Sequence, residues 1–333
     1  MDTKRIVVVV AAVAITAATF LAVFSRRGGA ARTGQEQAAQ EAPRPSFPVS
    51  TGVAVRPLPP SVPGARATAV RPPAAAVSEA VAAVTDASDS SLDARLSALA
   101  GLGKSLPEGD VDALMSFMDR RNAEDALPPA KLNALKNDVA NLLRSQVRFP
   151  DALPRRLAEM WSDPAHDGVW RDYCVQHAGA AWPRISAPAA RDEVRSLLWT
   201  AGGDPAAPGA GTALIALRNL VSSGAEDQAK VAGQASALAA SAGTPEGVRV
   251  TALQIAAELG APGTAALARS ILAGRAQPVH LRMSAAAALG RTGDASDLPA
   301  LEALASASDL RLRAAAASAL RRLGEKTAPP PVN

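Results

Sequence analysis

The sequence predicts an all-α protein. The expected architecture is an α-solenoid of helix pairs behind an N-terminal transmembrane helix and a disordered Pro/Ala-rich linker. Three observations predict it. Apolar residues make up 48% of the 333, but aromatic residues only 3%. A core built mainly from Ala, Leu and Val suits closely approaching helices better than a sheet. Residues 6–24 form an uncharged apolar run. Beyond residue 76 helical periodicity dominates, and similar segments recur every 31–33 residues near the C-terminus.

Taken in order, residues 1–5 (MDTKR) are a short basic flank. Ile6–Phe24 then runs for 19 residues without a charge. As a helix it would span about 28 Å at ~1.5 Å per residue, close to a hydrocarbon core of ~30 Å. A cleaved signal peptide would have a shorter apolar stretch and a small-x-small cleavage site. Here Ser25-Arg26-Arg27 follows directly, so an uncleaved single-pass anchor is expected. Lys4 and Arg5 precede the run, and Arg26, Arg27 and Arg32 follow it. Counting basic residues therefore discriminates the orientation poorly. So short a flank most simply stays inside. That places the folded part on the periplasmic or extracytoplasmic side of a bacterial inner (cytoplasmic) membrane. The opposite orientation gives a cytoplasmic-facing adaptor. High alanine content and this anchor point to a bacterial envelope protein.

Residues 25–76 are rich in Pro and Ala and contain PRPSFP, RPLPPSVP and RPPAAA. Proline removes backbone donors and favours extended segments, so this stretch reads as a disordered, semi-rigid spacer. A ligand for a proline-binding module is the functional alternative.

The folded part is expected over 77–327, with a disordered tail at 328–333. Arg249–Gly260 (RVTALQIAAELG), Arg282–Gly293 (RMSAAAALGRTG) and Arg313–Gly324 (RAAAASALRRLG) each open with Arg and close on Gly eleven positions later. Gly263–Ala273 and Asp297–Ala305 lie between them as partner helices. The closing glycines are expected to end the helices. A helix pair cannot bury its apolar stripe alone, so such units stack. Upstream, Arg95–Gly103, Leu127–Gln146, Gly211–Val221 and Glu226–Ala240 read as fainter helices, giving room for roughly seven pairs from 91 to 327 at about 34 residues each. Residues 202–211 (GGDPAAPGAG) are the best internal break, dividing divergent aromatic-containing repeats at 77–201 from Ala-rich repeats at 212–327. All seven aromatics of the folded part precede that break, so the halves are expected to pack as distinct subdomains.

The residues of this repeat resemble the HEAT family, and in particular its short bacterial form. Leu281–Asp294 (LRMSAAAALGRTGD) carries the resemblance, which is strong over about 244–324. The resemblance implies an α-solenoid that works as a scaffold or adaptor binding another protein. Because short HEAT-like repeats also occur in bilin lyases, it leaves open an enzyme or cofactor-handling protein.

Charge excludes one class. The pI is about 9.6, but residues 91–333 hold 26 Lys and Arg against 25 Asp and Glu. The folded part is nearly neutral and has no long basic block, so a nucleic-acid partner is not expected. One cysteine excludes an internal disulfide framework and a multi-cysteine metal site. Neither a metal, a cofactor nor a small-molecule substrate is expected.

Several motifs tempt. Ala98–Ser105 (ALAGLGKS) suggests a phosphate loop, but Ala98 stands where the pattern needs Gly, and the preceding segment reads as helix. His166, His177 and His280 show no metal-ligand spacing; Asp163 and Asp167 near His166 read as a solvated loop, with Asp167 supporting Arg171. Trp170–Gly179 (WRDYCVQHAG) holds the sole cysteine and tyrosine. As a helix it aligns Trp170, Tyr173, Cys174, His177 and Ala178 on one stripe. Cys174 and His177 are the only candidate reactive pair. No orienting group or oxyanion site is recognisable beside them, so no catalytic residue is assigned and the segment reads as a core helix. Its candidate function is a protein-binding patch of Trp161, Trp170, Tyr173 and Trp182.

Overall fold

The computed structural model describes residues 77–327, and these fall within one compact unit. The expected anchor at 6–24, spacer at 25–76 and tail at 328–333 lie outside the described residues. Within 77–327, no helix is long and apolar enough to cross a membrane.

Fourteen α-helices and no strand occur among the described residues. They are α1 Glu79–Thr85, α2 Leu92–Ala100, α3 Glu108–Met118, α4 Pro129–Ser145, α5 Leu153–Ser162, α6 Gly168–Ala181 and α7 Pro188–Gly203. Then follow α8 Ala210–Ser222, α9 Gln228–Ala240, α10 Glu246–Glu258, α11 Thr264–Ala273, α12 Val279–Thr292, α13 Leu298–Ala305 and α14 Leu310–Thr327. Short 3-10 turns lie at Asn122–Glu124, Trp182–Arg184 and Ala295–Asp297.

The helices pair as hairpins, α1 with α2 through α13 with α14, giving seven. Each even-numbered helix also packs on the even-numbered helix two further on, from α2–α4 to α12–α14. The even helices therefore form one unbroken layer. Proline precedes several starts: Pro107, Pro128, Pro245 and Pro278 stand at the N-caps of α3, α4, α10 and α12. Its fixed φ directs the chain into the helix at a point where no backbone N–H is needed. Elsewhere side chains cap, as when Asp227 Oδ1 accepts from Lys230 N at 2.7 Å.

Small residues let the even helices approach. A Cβ placed on Gly179 would meet Ala216 Cβ at 2.6 Å across the α6–α8 contact. One on Gly290 would meet Ala319 Cα at 2.9 Å across α12–α14. Gly179 and Gly290 are thus packing residues.

The closing glycines behave differently from one another. Gly260 follows α10 with φ +71, and Gly293 is the C-cap of α12. Gly324 does not stop its helix, because α14 continues to Thr327. A helix end needs more than a glycine; it needs a left-handed turn or a competing bond.

The stretch 202–211 corrects the expected division into subdomains. It is the turn within the hairpin α7–α8, and α8 packs on both α6 and α10. A single core cluster runs from Val81 to Leu323 across it. The shift from aromatic to alanine-rich composition changes how closely helices approach, and the core continues through it. Likewise α8 and α9, the fainter helices read at Gly211–Val221 and Glu226–Ala240, belong to successive hairpins.

Candidate functional site

The chemistry-rich stretch forms most of α6 and lies against α4 and α5. Its N-cap is Asp167, whose Oδ1 accepts from Val169 N at 2.9 Å and from Asn133 Nδ2 at 2.8 Å. Asp167 therefore ties α6 to α4. It is not the partner of Arg171, as the sequence spacing suggested. Arg171 Nε instead donates to Trp161 O at 2.6 Å.

Trp170, Cys174, His177 and Ala178 are fully buried, and Tyr173 is half-buried. The stripe thus faces the core. His177 is held at both nitrogens: Arg144 Nη1 is 3.0 Å from Nδ1, and Asn137 Oδ1 is 3.1 Å from Nε2. Arginine can only donate, so Nδ1 accepts and the proton sits on Nε2, assigned from these partners. Burial, and then the Arg144 charge, push the imidazole down to about 3. Burial pushes the Cys174 thiol far above its ordinary value, outweighing the opposing charges of Lys136 and Arg171.

A thiol nucleophile needs a thiolate and a base that can take its proton. Here the thiol is held neutral, and the lone pair of the imidazole is already used. Cys174 and His177 share a face without forming a working dyad. Lys136, whose charge acts on Cys174, has its Nζ 5.1 Å from the Trp170 ring centroid and donates to the Arg120 carbonyl. Burial pushes it down to about 8.

The four aromatics of the expected binding patch do not make an open surface. Trp170 and Trp182 are buried, while Trp161 and Tyr173 are half-buried and packed against the core. Trp161 Nε1 donates to Pro208 O at 3.0 Å. The three tryptophans among them also carry cations over their faces. Arg171 lies 6.0 Å from the Trp161 centroid, and Arg191 and Arg195 lie 5.4 and 5.3 Å from that of Trp182. The same holds for Phe117, Phe149 and Trp199, over which Arg95, Arg184 and Lys230 respectively sit. Contacts of this kind stabilise by about 0.5–2 kcal/mol each, least where the cation is exposed, as at Arg184, Arg191 and Lys230. Nothing in the sequence spacing announced them, since most link different helices.

The remaining motifs are placed as follows. Ala98–Ser105 spans the end of α2 and its C-cap Gly101, with no strand before it. His166 is buried, with Nε2 3.1 Å from Asp119 Oδ1; burial lowers its pKa. His280 is exposed and 3.4 Å from Glu246. Among the described residues no group of three or more His, Cys, Asp or Glu could hold a metal ion.

In three of the even helices, α2, α6 and α10, the repeated arginine has a distinct role. Arg95 Nε donates to Val84 O at 2.8 Å, Arg171 Nε to Trp161 O at 2.6 Å, and Arg249 Nε to Ala239 O at 3.2 Å. Each acceptor is the next-to-last residue of the preceding odd helix. The arginine satisfies a carbonyl that the helix end leaves open, and its charge suits that end of the dipole. With this pattern in place, the family model for HEAT repeats matches residues 235–321. This segment is made of HEAT repeats. The HEAT match begins within α9 and ends within α14, the most regular part of the array. No curated protein matches the chain. Among solved structures, human deoxyhypusine hydroxylase in complex with glycerol is similar at 19% identity over 74% of this chain and 95% of its own, with a TM-score of 0.31. A likeness at that score carries no argument about activity.

Proposed function

We propose that the chain is a membrane-tethered HEAT-like scaffold or adaptor that binds another protein and performs no catalysis. The observation that carries this reading is the burial of Cys174 and His177 in one continuous repeat core. An enzymatic role, or a cofactor-handling one like that of HEAT-like lyases, would have to use that pair, and their neutral, enclosed state counts against it. Stacked helix pairs expose long faces on which a partner can lie. The tether rests on Ile6–Phe24, whose length and lack of charge suit a single span of a bacterial inner membrane. The folded part then sits on the periplasmic side, held off the membrane by the spacer at 25–76.

In-cell crosslinking followed by identification of the captured proteins tests the scaffold. The expected result is a discrete partner crosslinked to positions within 77–327. Recovery of no specific partner would contradict it. A reporter fused to the C-terminus tests the orientation, and cytoplasmic reporter activity would refute the periplasmic placement.

A further inference from the structure

Arg282 departs from the pattern of Arg95, Arg171 and Arg249, and differently from Arg313, whose Nη1 donates to Ala307 O and Ser308 O instead. By analogy with Arg95, Arg171 and Arg249, its Nε should reach the carbonyl of Leu272, the next-to-last residue of α11. It does not: Arg282 Nε is shut off from solvent and has no hydrogen-bond partner. The side chain instead lines a cleft of about 710 Å³. The cleft lies between α11 and α13, with α12 at its floor. Leu272, Leu289 and Leu304 supply apolar lining. Alanines 300, 303 and 307 leave open the space that larger side chains would fill.

Its charge is one-sided. Arg269, Arg275 and Arg282 all line it, and no carboxylate does. Arg269 is already engaged by Asp294 at 2.9 Å and Asp297 at 2.6 Å. The side chains of Arg275 and Arg282 form no ion pair or hydrogen bond among the described residues. A guanidinium whose Nε is cut off from water and unbonded is costly to leave unsatisfied. Its two Nη groups are not shut off in this way, and their parallel N–H donors can grip a carboxylate together.

We propose that this cleft is the docking site for an acidic peptide segment of the partner protein. Its aspartate or glutamate reaches Arg282 and Arg275, and small apolar residues beside it cover the leucines and alanines. The proposal rests on the scaffold reading above and names the chemistry of the partner. A bare phosphate would fill little of the volume and leave the apolar walls uncovered, so the cleft suits a peptide.

The test uses the full-length chain in detergent and a fluorescein-labelled hexapeptide of alanine and leucine with one glutamate. Fluorescence anisotropy should show binding, weakened at least about tenfold when glutamine replaces the glutamate. Arg282→Gln and Arg275→Gln should each weaken it by about tenfold. Arg275 is exposed, so its variant tests the site without disturbing the fold. Absence of binding, equal binding of the glutamine peptide, or indifference to both substitutions would overturn the proposal. So would displacement of the peptide by inorganic phosphate at the concentration needed of unlabelled peptide, which would mark a small-anion site. In-cell crosslinking of the double variant separates the two claims. If the partner is still captured at wild-type level, the cleft is wrong and the scaffold stands; if neither chain captures one, the scaffold itself falls.

Discussion

Arg144 and Asn137 decide what His177 is. Between an obligate donor and an amide oxygen, the imidazole is fixed as a neutral linker between α4 and α6. Its folded pKa of about 3 lies below the ordinary 6.5. The unfolded chain therefore takes up the proton first as pH falls. The stability contributed by neutral His177 is complete above about 6.5 and is lost progressively toward 3. Unfolding free energy should drop by roughly 3 kcal/mol between about pH 6.5 and 4. His166 is shifted in the same direction and adds to the slope. Denaturant titrations of His177→Gln across this range should show most of the slope removed; an unchanged slope would place the proton uptake elsewhere. The stripe itself was legible in the sequence, because helical spacing alone aligns Trp170, Cys174 and His177. The partners were not. Arg144 and Asn137 sit more than thirty residues away, and only the stacking of α4 on α6 brings them in.

Glycines separate into those that shape the elements and those that merely occupy them. Gly209 has φ +81, and a Cβ there would meet Val175 Cγ2 at 2.9 Å and Asp172 Oδ1 at 3.0 Å. Gly209→Ala should cost about 2–3 kcal/mol, from the left-handed backbone and the crowding together. Gly290→Ala should cost about 1–3 kcal/mol by pushing α14 away from α12. Gly233, inside α9 and exposed, has nothing within 4 Å of a new Cβ. Gly233→Ala should stabilise by about 0.5–1 kcal/mol. Thermal unfolding of the three variants checks the ordering. The repeat period was readable because the last three even helices, α10, α12 and α14, each carry an arginine at the same place near their start. Gly324 was misread because sequence shows a glycine but not its φ, and α14 simply runs through it. The Gly202–Gly211 turn was found in place, but its role inside a hairpin depends on α8 bridging α6 and α10. Composition could not show that.

On the scale of the whole molecule, the described residues share one core from the first hairpin to the last. Arg282 illustrates what the repeat pattern conceals: it occupies the same place in the motif as Arg249, yet only one of them meets its carbonyl. Sequence similarity between repeats identifies where a function could be added, and the departure from the shared bonding shows where one has room. Cys174 offers the most direct measurement of the central claim, that the chemistry-rich stretch is core and the protein works through its surface. It is the chain's sole thiol and lies fully buried in the third hairpin. Labelling the full-length chain with a small thiol reagent, over a denaturant series and beside circular dichroism, reports its accessibility. The account predicts no labelling of the native protein on the time that unfolded protein reacts fully, with reactivity rising along the unfolding transition. Rapid labelling before any loss of helix would show an open, reactive cysteine and contradict it.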